Sequence, residues 1–172
     1  MKIICLYSGS EAYCIEVIKA LRVNKVATYI HFDDNDCLTP AFWRHAAEWI
    51  ASNPITAITK IGNYKIVGDE GTKLLCEAMA SNTVCKELLV DGNNATSASA
   101  PPVANLTSTN MTLTELVCMR SDWSTHALQS IADTLVHNFE AGGSLQVFNV
   151  GMMKTWTDEH NSIMLRCFQG SK

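Results

Sequence analysis

Apolar residues recur along this chain in stripes that end on asparagine. The asparagines stand at Asn24, Asn53, Asn82, Asn110 and Asn138, at intervals of 29, 29, 28 and 28. Counting back from each by 10, 7, 6 and 3 residues finds Cys14, Val17, Ile18 and Leu21, then Trp43, Ala46, Ala47 and Ile50. The later three stripes are Thr72, Leu75, Cys76, Met79; Ala100, Val103, Ala104, Thr107; and Leu128, Ile131, Ala132, Leu135. Only Thr72 and Thr107 are polar. These offsets define one face of an α-helix. The pattern predicts helices over 11–23, 40–52, 69–81, 101–109 and 126–137. Start signals agree: Ser10 before Glu11, Thr39-Pro40, Asp69-Glu70 and Pro101-Pro102. The closing asparagine suits the left-handed position just past a helix end.

A second pattern, apolar-x-x-apolar-x-apolar, follows each stripe. Cys85, Leu88, Val90 is one copy; Leu113, Leu116, Cys118 and Leu145, Phe148, Val150 are others. Looser copies are Ala27, Ile30, Phe32 and Ile55, Ile58, Lys60, and the chain opens on Met1, Ile4, Leu6. Short strands are predicted over 3–6, 28–32, 57–59, 87–90, 115–118 and 146–150. A last helix over about 157–169 carries Ile163, Met164, Cys167 and Phe168 and reads as a terminal cap.

The strand template followed by a helix, and the stretch IVGDEGTKLLCEAMASNT over 66–83, resemble the ribonuclease-inhibitor class of leucine-rich repeat. That resemblance implies an α/β fold: a short right-handed βα solenoid of about five repeats over residues 1–172, parallel strands concave and helices convex. Departures from the class pattern are Lys60 in an inward slot, Ser121 and Met153 in asparagine slots, and the long connection at 139–144. In length alone the chain is also similar to the short repeat domain that caps actin filaments.

Composition narrows the function classes. The 172 residues are 47% apolar and 17% charged, with net charge −4, which suits a folded domain with a real core. No apolar run approaches the ~20 residues of a membrane span. A pI of about 5.7 argues against a direct nucleic-acid module. The seven cysteines contain no C-x-x-C and read as buried thiols of a reducing, intracellular compartment: cytoplasm first, with organelle or flagellum open. The N-terminal apolar stretch is too short for a signal peptide. The first strand is left as a bare edge, which argues for a place in a multi-subunit complex.

Catalytic signals are sparse. Asp33-Asp34-Asn35-Asp36 lacks the glycine and alternation of a calcium loop. His31 and Asp33 share a strand face and form the best base-and-carboxylate candidate, an enzyme or GTPase-activator-like alternative with no nucleophile placed beside it. No cofactor or metal motif is present. The favoured expectation is a non-catalytic interaction or scaffold subunit that binds a partner protein on the concave sheet. Strand alternation puts Tyr29, His31 and Asp33 on that face, then Ile61, Glu87, Leu89 and Asp91, then Glu115, Val117, Met119, Val147 and Asn149. Its apolar members form a stripe rimmed by acids.

Overall fold

The stripes fold as helices and bury as a set. The computed structural model describes residues 3–7, 9–23, 26, 29–33, 38–52, 67–90, 95–151 and 156–169. Helices α1 (Glu11–Leu21), α2 (Pro40–Ser52), α3 (Gly68–Ala80), α4 (Ala100–Thr109), α5 (Thr125–Glu140) and α6 (Asp158–Gln169) each pack on the next. Every stripe residue is buried except Val17, which is half-buried against the core. Thr107 is tolerated inside because its hydroxyl donates to the Ala104 carbonyl at 3.0 Å and meets the Thr134 hydroxyl at 2.7 Å. Caps set the starts. Ser10 Oγ accepts from the Tyr13 N–H and Ser124 Oγ from the Ala127 N–H, each at 3.3 Å.

Strands β1 (Ile3–Tyr7) and β2 (Tyr29–Asp33) pair in parallel as one sheet. Strands β3 (Glu87–Leu89), β4 (Glu115–Val117) and β5 (Val147–Asn149) pair in parallel as another, in that order. This corrects the expected leucine-rich-repeat solenoid. Among the described residues no continuous concave sheet exists. Helices of 10–16 residues dominate, the β3–β5 strands are 3 residues each, and the sheets are separate pieces of two and three strands. Each of these three strands contributes one inward side chain to the core, Leu88, Leu116 and Phe148, while the helices pack one on the next. The strand expected over 57–59 lies outside the described residues.

Close helix contact has a visible cause at α2 and α3. A Cβ on Gly71 would stand 2.8 Å from Val67 Cγ1 and 3.0 Å from Trp43 Cδ1, so only glycine lets α3 approach the Trp43 ring. Phe42 meets Trp43 and Phe32 edge-on, each at 4.9 Å between centroids.

Asn24 and Asn53 lie outside the described residues; Asn82 and Asn110 act differently from the left-handed cap expected of them. Asn110 has φ −84° and ψ 115°, an extended conformation, and Arg120 is the only non-glycine residue with positive φ among those described. Instead the side-chain amides bridge helix ends. Asn82 Nδ2 donates to the Ile50 carbonyl at 2.8 Å, while its Oδ1 accepts the N–H groups of Val84 and Cys85. Asn110 Nδ2 donates to the Met79 carbonyl at 2.6 Å, and its Oδ1 accepts from Thr112 and Leu113. At the α1–α2 step a tryptophan does this work: Trp49 Nε1 donates to the Leu21 carbonyl at 3.2 Å. Orphan carbonyls at helix C-termini are thus satisfied by the following helix.

Asn138 departs from the series. Helix α5 runs past it to Glu140, so the N–H groups two and three residues on are turned into helix and turn. Its Nδ2 still reaches the Asn110 carbonyl at 3.2 Å, but its buried Oδ1 accepts nothing. Gly143 sits directly against it; a Cβ there would be 1.8 Å from Oδ1.

Candidate protein-binding surface

Alternation along β3–β5 sorts side chains into two faces. Leu88, Leu116 and Phe148 stand in register and point into the core. On the opposite face one row is Glu87, Glu115 and Val147, and the next is Leu89, Val117 and Asn149. Val147 is 44% exposed and Asn149 is exposed, whereas Glu87, Leu89, Glu115 and Met119 are half-buried. Val117 is only 4% exposed, so it supports the face rather than presenting area to a partner. The structure therefore brings seven of the sequence-derived residues together on or beside one small sheet. Glu87 and Glu115 stand directly opposite each other on neighbouring strands with no ion-pair partner among the described residues, an arrangement that costs electrostatic energy in the free chain.

The remaining residues are not joined to it. Tyr29, His31 and Asp33 lie on β2, in register with Ile3, Cys5 and Tyr7 of the other sheet. That register sets a cysteine backbone opposite His31, a neighbour the sequence pattern had not supplied. Ile61 and Asp91 fall outside the described residues.

Sequence reasoning did not reach a groove between α5 and α6. It has a volume of about 270 Å³ and is lined by Thr125, His126, Gln129, Glu159, Ile163 and Arg166. An Arg166 Nη donates to Gln129 Oε1 across it at 2.9 Å. A smaller cavity of about 170 Å³ lies on the α4 side of His126, against Ser97, Pro101 and Ser124. Periodicity could not have shown either, because both form between helix starts far apart in sequence. Among the described residues no group of three or more His, Cys, Asp or Glu side chains is placed to hold a metal ion.

Helix α6 is pinned beside this groove. Trp123 Nε1 donates to Ser99 Oγ at 2.8 Å inside the protein. The Trp123 carbonyl meets His160 Nε2 of α6 at 3.2 Å, and His160 Nδ1 takes the Thr157 N–H at 3.2 Å. Because the Thr157 N–H can only donate, the ring proton sits on Nε2, which donates to Trp123. The Trp156 ring stacks on His160 at 5.4 Å.

Four of the thiols are shielded by burial: Cys14, Cys76, Cys85 and Cys118 are buried. Desolvation, helped by the neighbouring Glu77 carboxylate, pushes the Cys76 thiol up to about 12. Desolvation also raises Cys118 well above its ordinary value, with Cys76 adding to the shift. Neither is a nucleophile. Among the described residues no helix is long and apolar enough to cross a membrane.

No family profile matches the sequence, and no curated protein matches it. Solved structures do match the fold. A structure of the leiomodin-1 actin-binding site 2 aligns with a TM-score of 0.69 at 16% identity, covering 92% of this chain and 87% of the other. The tropomodulin C-terminal domain of Caenorhabditis elegans aligns with a TM-score of 0.62 at 15% identity, covering 82% and 86%. These likenesses replace the ribonuclease-inhibitor-like assignment: the helix-dominated fold with its small parallel sheet is of the tropomodulin and leiomodin kind.

Proposed function

We propose that this chain is a non-catalytic protein–protein interaction domain, a scaffold subunit that binds a partner protein through the open face of the β3–β5 sheet. The observation that carries this reading is the fold likeness, over 92% of the chain, to a domain described as an actin-binding site. Actin is accordingly the first partner to test. The open face supports the reading: a half-buried Leu89 and an exposed Val147 stand with two carboxylates that lack ion-pair partners among the described residues. Such a mixture suits recognition of a basic and apolar protein surface. The buried thiols fit a reducing compartment such as the cytoplasm.

The test is cosedimentation with actin filaments, followed by capture of partners from the native source. Leu89→Asp with Val147→Asp should abolish binding while the helical circular-dichroism signal stays intact. Val147 is chosen over Val117 because a charge at buried Val117 would unfold the sheet. Failure of the native protein to bind actin would remove actin. Failure to recover any protein in stoichiometric amount would remove the scaffold reading. Turnover by the purified protein that disappears in His31→Ala would replace it with the enzyme alternative.

A further inference from the structure

The β3–β5 sheet ends on β5, a short strand whose edge, among the described residues, carries no charge and no proline. In the parallel ladder Val147 N–H donates to the Thr114 carbonyl at 3.0 Å, and the Asn149 carbonyl accepts from Cys118 at 2.7 Å. Backbone groups alternate sides along a strand, so the N–H and C=O of Phe148 face away from β4. Neither Phe148 nor Val150 makes a backbone hydrogen bond to another described residue beyond that ladder. Residues 145–151, LQVFNVG, contain no charge and no proline. Edge strands in soluble proteins are ordinarily blunted by lysine, proline or a bulge. Here Gln146, Val147 and Asn149 are exposed and uncharged.

Building on the protein-binding reading above, we propose that β5 is a strand-addition site: an extended segment of the partner pairs with the Phe148 and Val150 backbone and carries lysine or arginine into the Glu87–Glu115–Val147 row. The charge follows from the row itself. The added residue would stand beside Val147, two strand spacings or about 10 Å from Glu115 at the backbone, a gap that a long cationic side chain and the glutamate span between them. Its apolar stem covers the exposed Val147, and its charge relieves the Glu87–Glu115 opposition. Main-chain bonds supply affinity and the row supplies selectivity.

Amide hydrogen exchange on the intact protein reads the edge directly. In the free chain the Phe148 and Val150 amides should exchange at least about tenfold faster than Leu116 in the middle strand; slow exchange would mean that the chain already covers its own edge and would overturn the proposal. The probe is a capped seven-residue peptide, threonine-valine-threonine-lysine-threonine-valine-threonine. It should slow exchange at both amides and bind about tenfold tighter than the same peptide with glutamate at its centre. N-methylation of one alternate set of peptide amides should abolish binding, and methylation of the other set should spare it. Equal effects of the two methylation patterns, equal binding of lysine and glutamate peptides, or no binding would each overturn it. Partner capture that is lost in Leu89→Asp with Val147→Asp, yet leaves the Phe148 and Val150 amides unprotected in the wild-type complex, would keep the face reading and discard the added strand.

Discussion

Asn110 donates from Nδ2 to the backbone carbonyl of Asn82, one sequence period earlier, at 2.9 Å. The same amide holds the Met79 carbonyl, and its oxygen collects two loop N–H groups. One buried side chain thereby closes the end of α3 and shapes the entry to β4.

Asn110→Ala should destabilise the protein by about 2–4 kcal/mol, because several buried backbone groups lose partners together. Asn138→Ala should cost about 1 kcal/mol, since the Asn138 oxygen already accepts nothing. Urea denaturation of the two variants checks the ordering.

Gly71→Ala introduces a methyl group against Val67 and Trp43. The expected loss is about 1–3 kcal/mol from overpacking, although alanine is the better helix former. The change should also alter Trp43 fluorescence. A gain in melting temperature would show that α2 and α3 can separate without cost.

Cys14, Cys76 and Cys118 should resist thiol reagents in the native protein and react fully after unfolding. The Cys76 thiol is raised by desolvation first and by Glu77 second. Folding therefore favours its protonated form. That stability is fully present below the unfolded thiol's 9.0 and is lost as pH rises toward about 12. Over this window the Cys76 thiol lowers unfolding free energy by up to about 1.4 kcal/mol per pH unit. Urea titrations at alkaline pH should show that slope in the wild type and a smaller one in Cys76→Ala.

His160→Ala removes both the Nε2 bond to Trp123 and the Nδ1 acceptor for Thr157. A cost of about 2–3 kcal/mol is expected, from an orphaned carbonyl and a cavity at a 3% exposed site. Amides of α6 should exchange faster, while those of α3 and α4 change little.

Much of the helical organisation was legible because each stripe repeats one helix face within a dozen residues. The observed starts of α1 and α2 match the predicted ones. Other ends moved: α5 continues three residues beyond the predicted 137, where half-buried Phe139 packs on the core. The fold class was not legible. Strand-like triplets such as Glu87–Leu89 look alike whether they join one long sheet or a piece of three strands, because sheet continuity depends on non-local pairing. Nor were the asparagine roles legible. The bonds from Asn82 to Ile50 and from Asn110 to Met79 join residues more than 30 apart, with no local signal beyond the spacing. On the candidate surface, alternation placed Glu87, Leu89, Glu115, Val117, Val147 and Asn149 on one face. It could not foresee that Val117 is closed over while Val147 stays open.

The chain of side-chain clasps from Leu21–Trp49 through Ile50–Asn82 and Met79–Asn110 to Asn110–Asn138 makes the C-terminal end of each of α1 to α4 the shared property of two neighbours. Removing any one of α2 to α5 strips its predecessor of a carbonyl partner as well as a packing neighbour. Peeling from either end is therefore penalised at each step. The five helices should melt as one cooperative unit rather than as a series of independent segments, and a boundary drawn between them for expression or grafting would cut through a bond that both halves need.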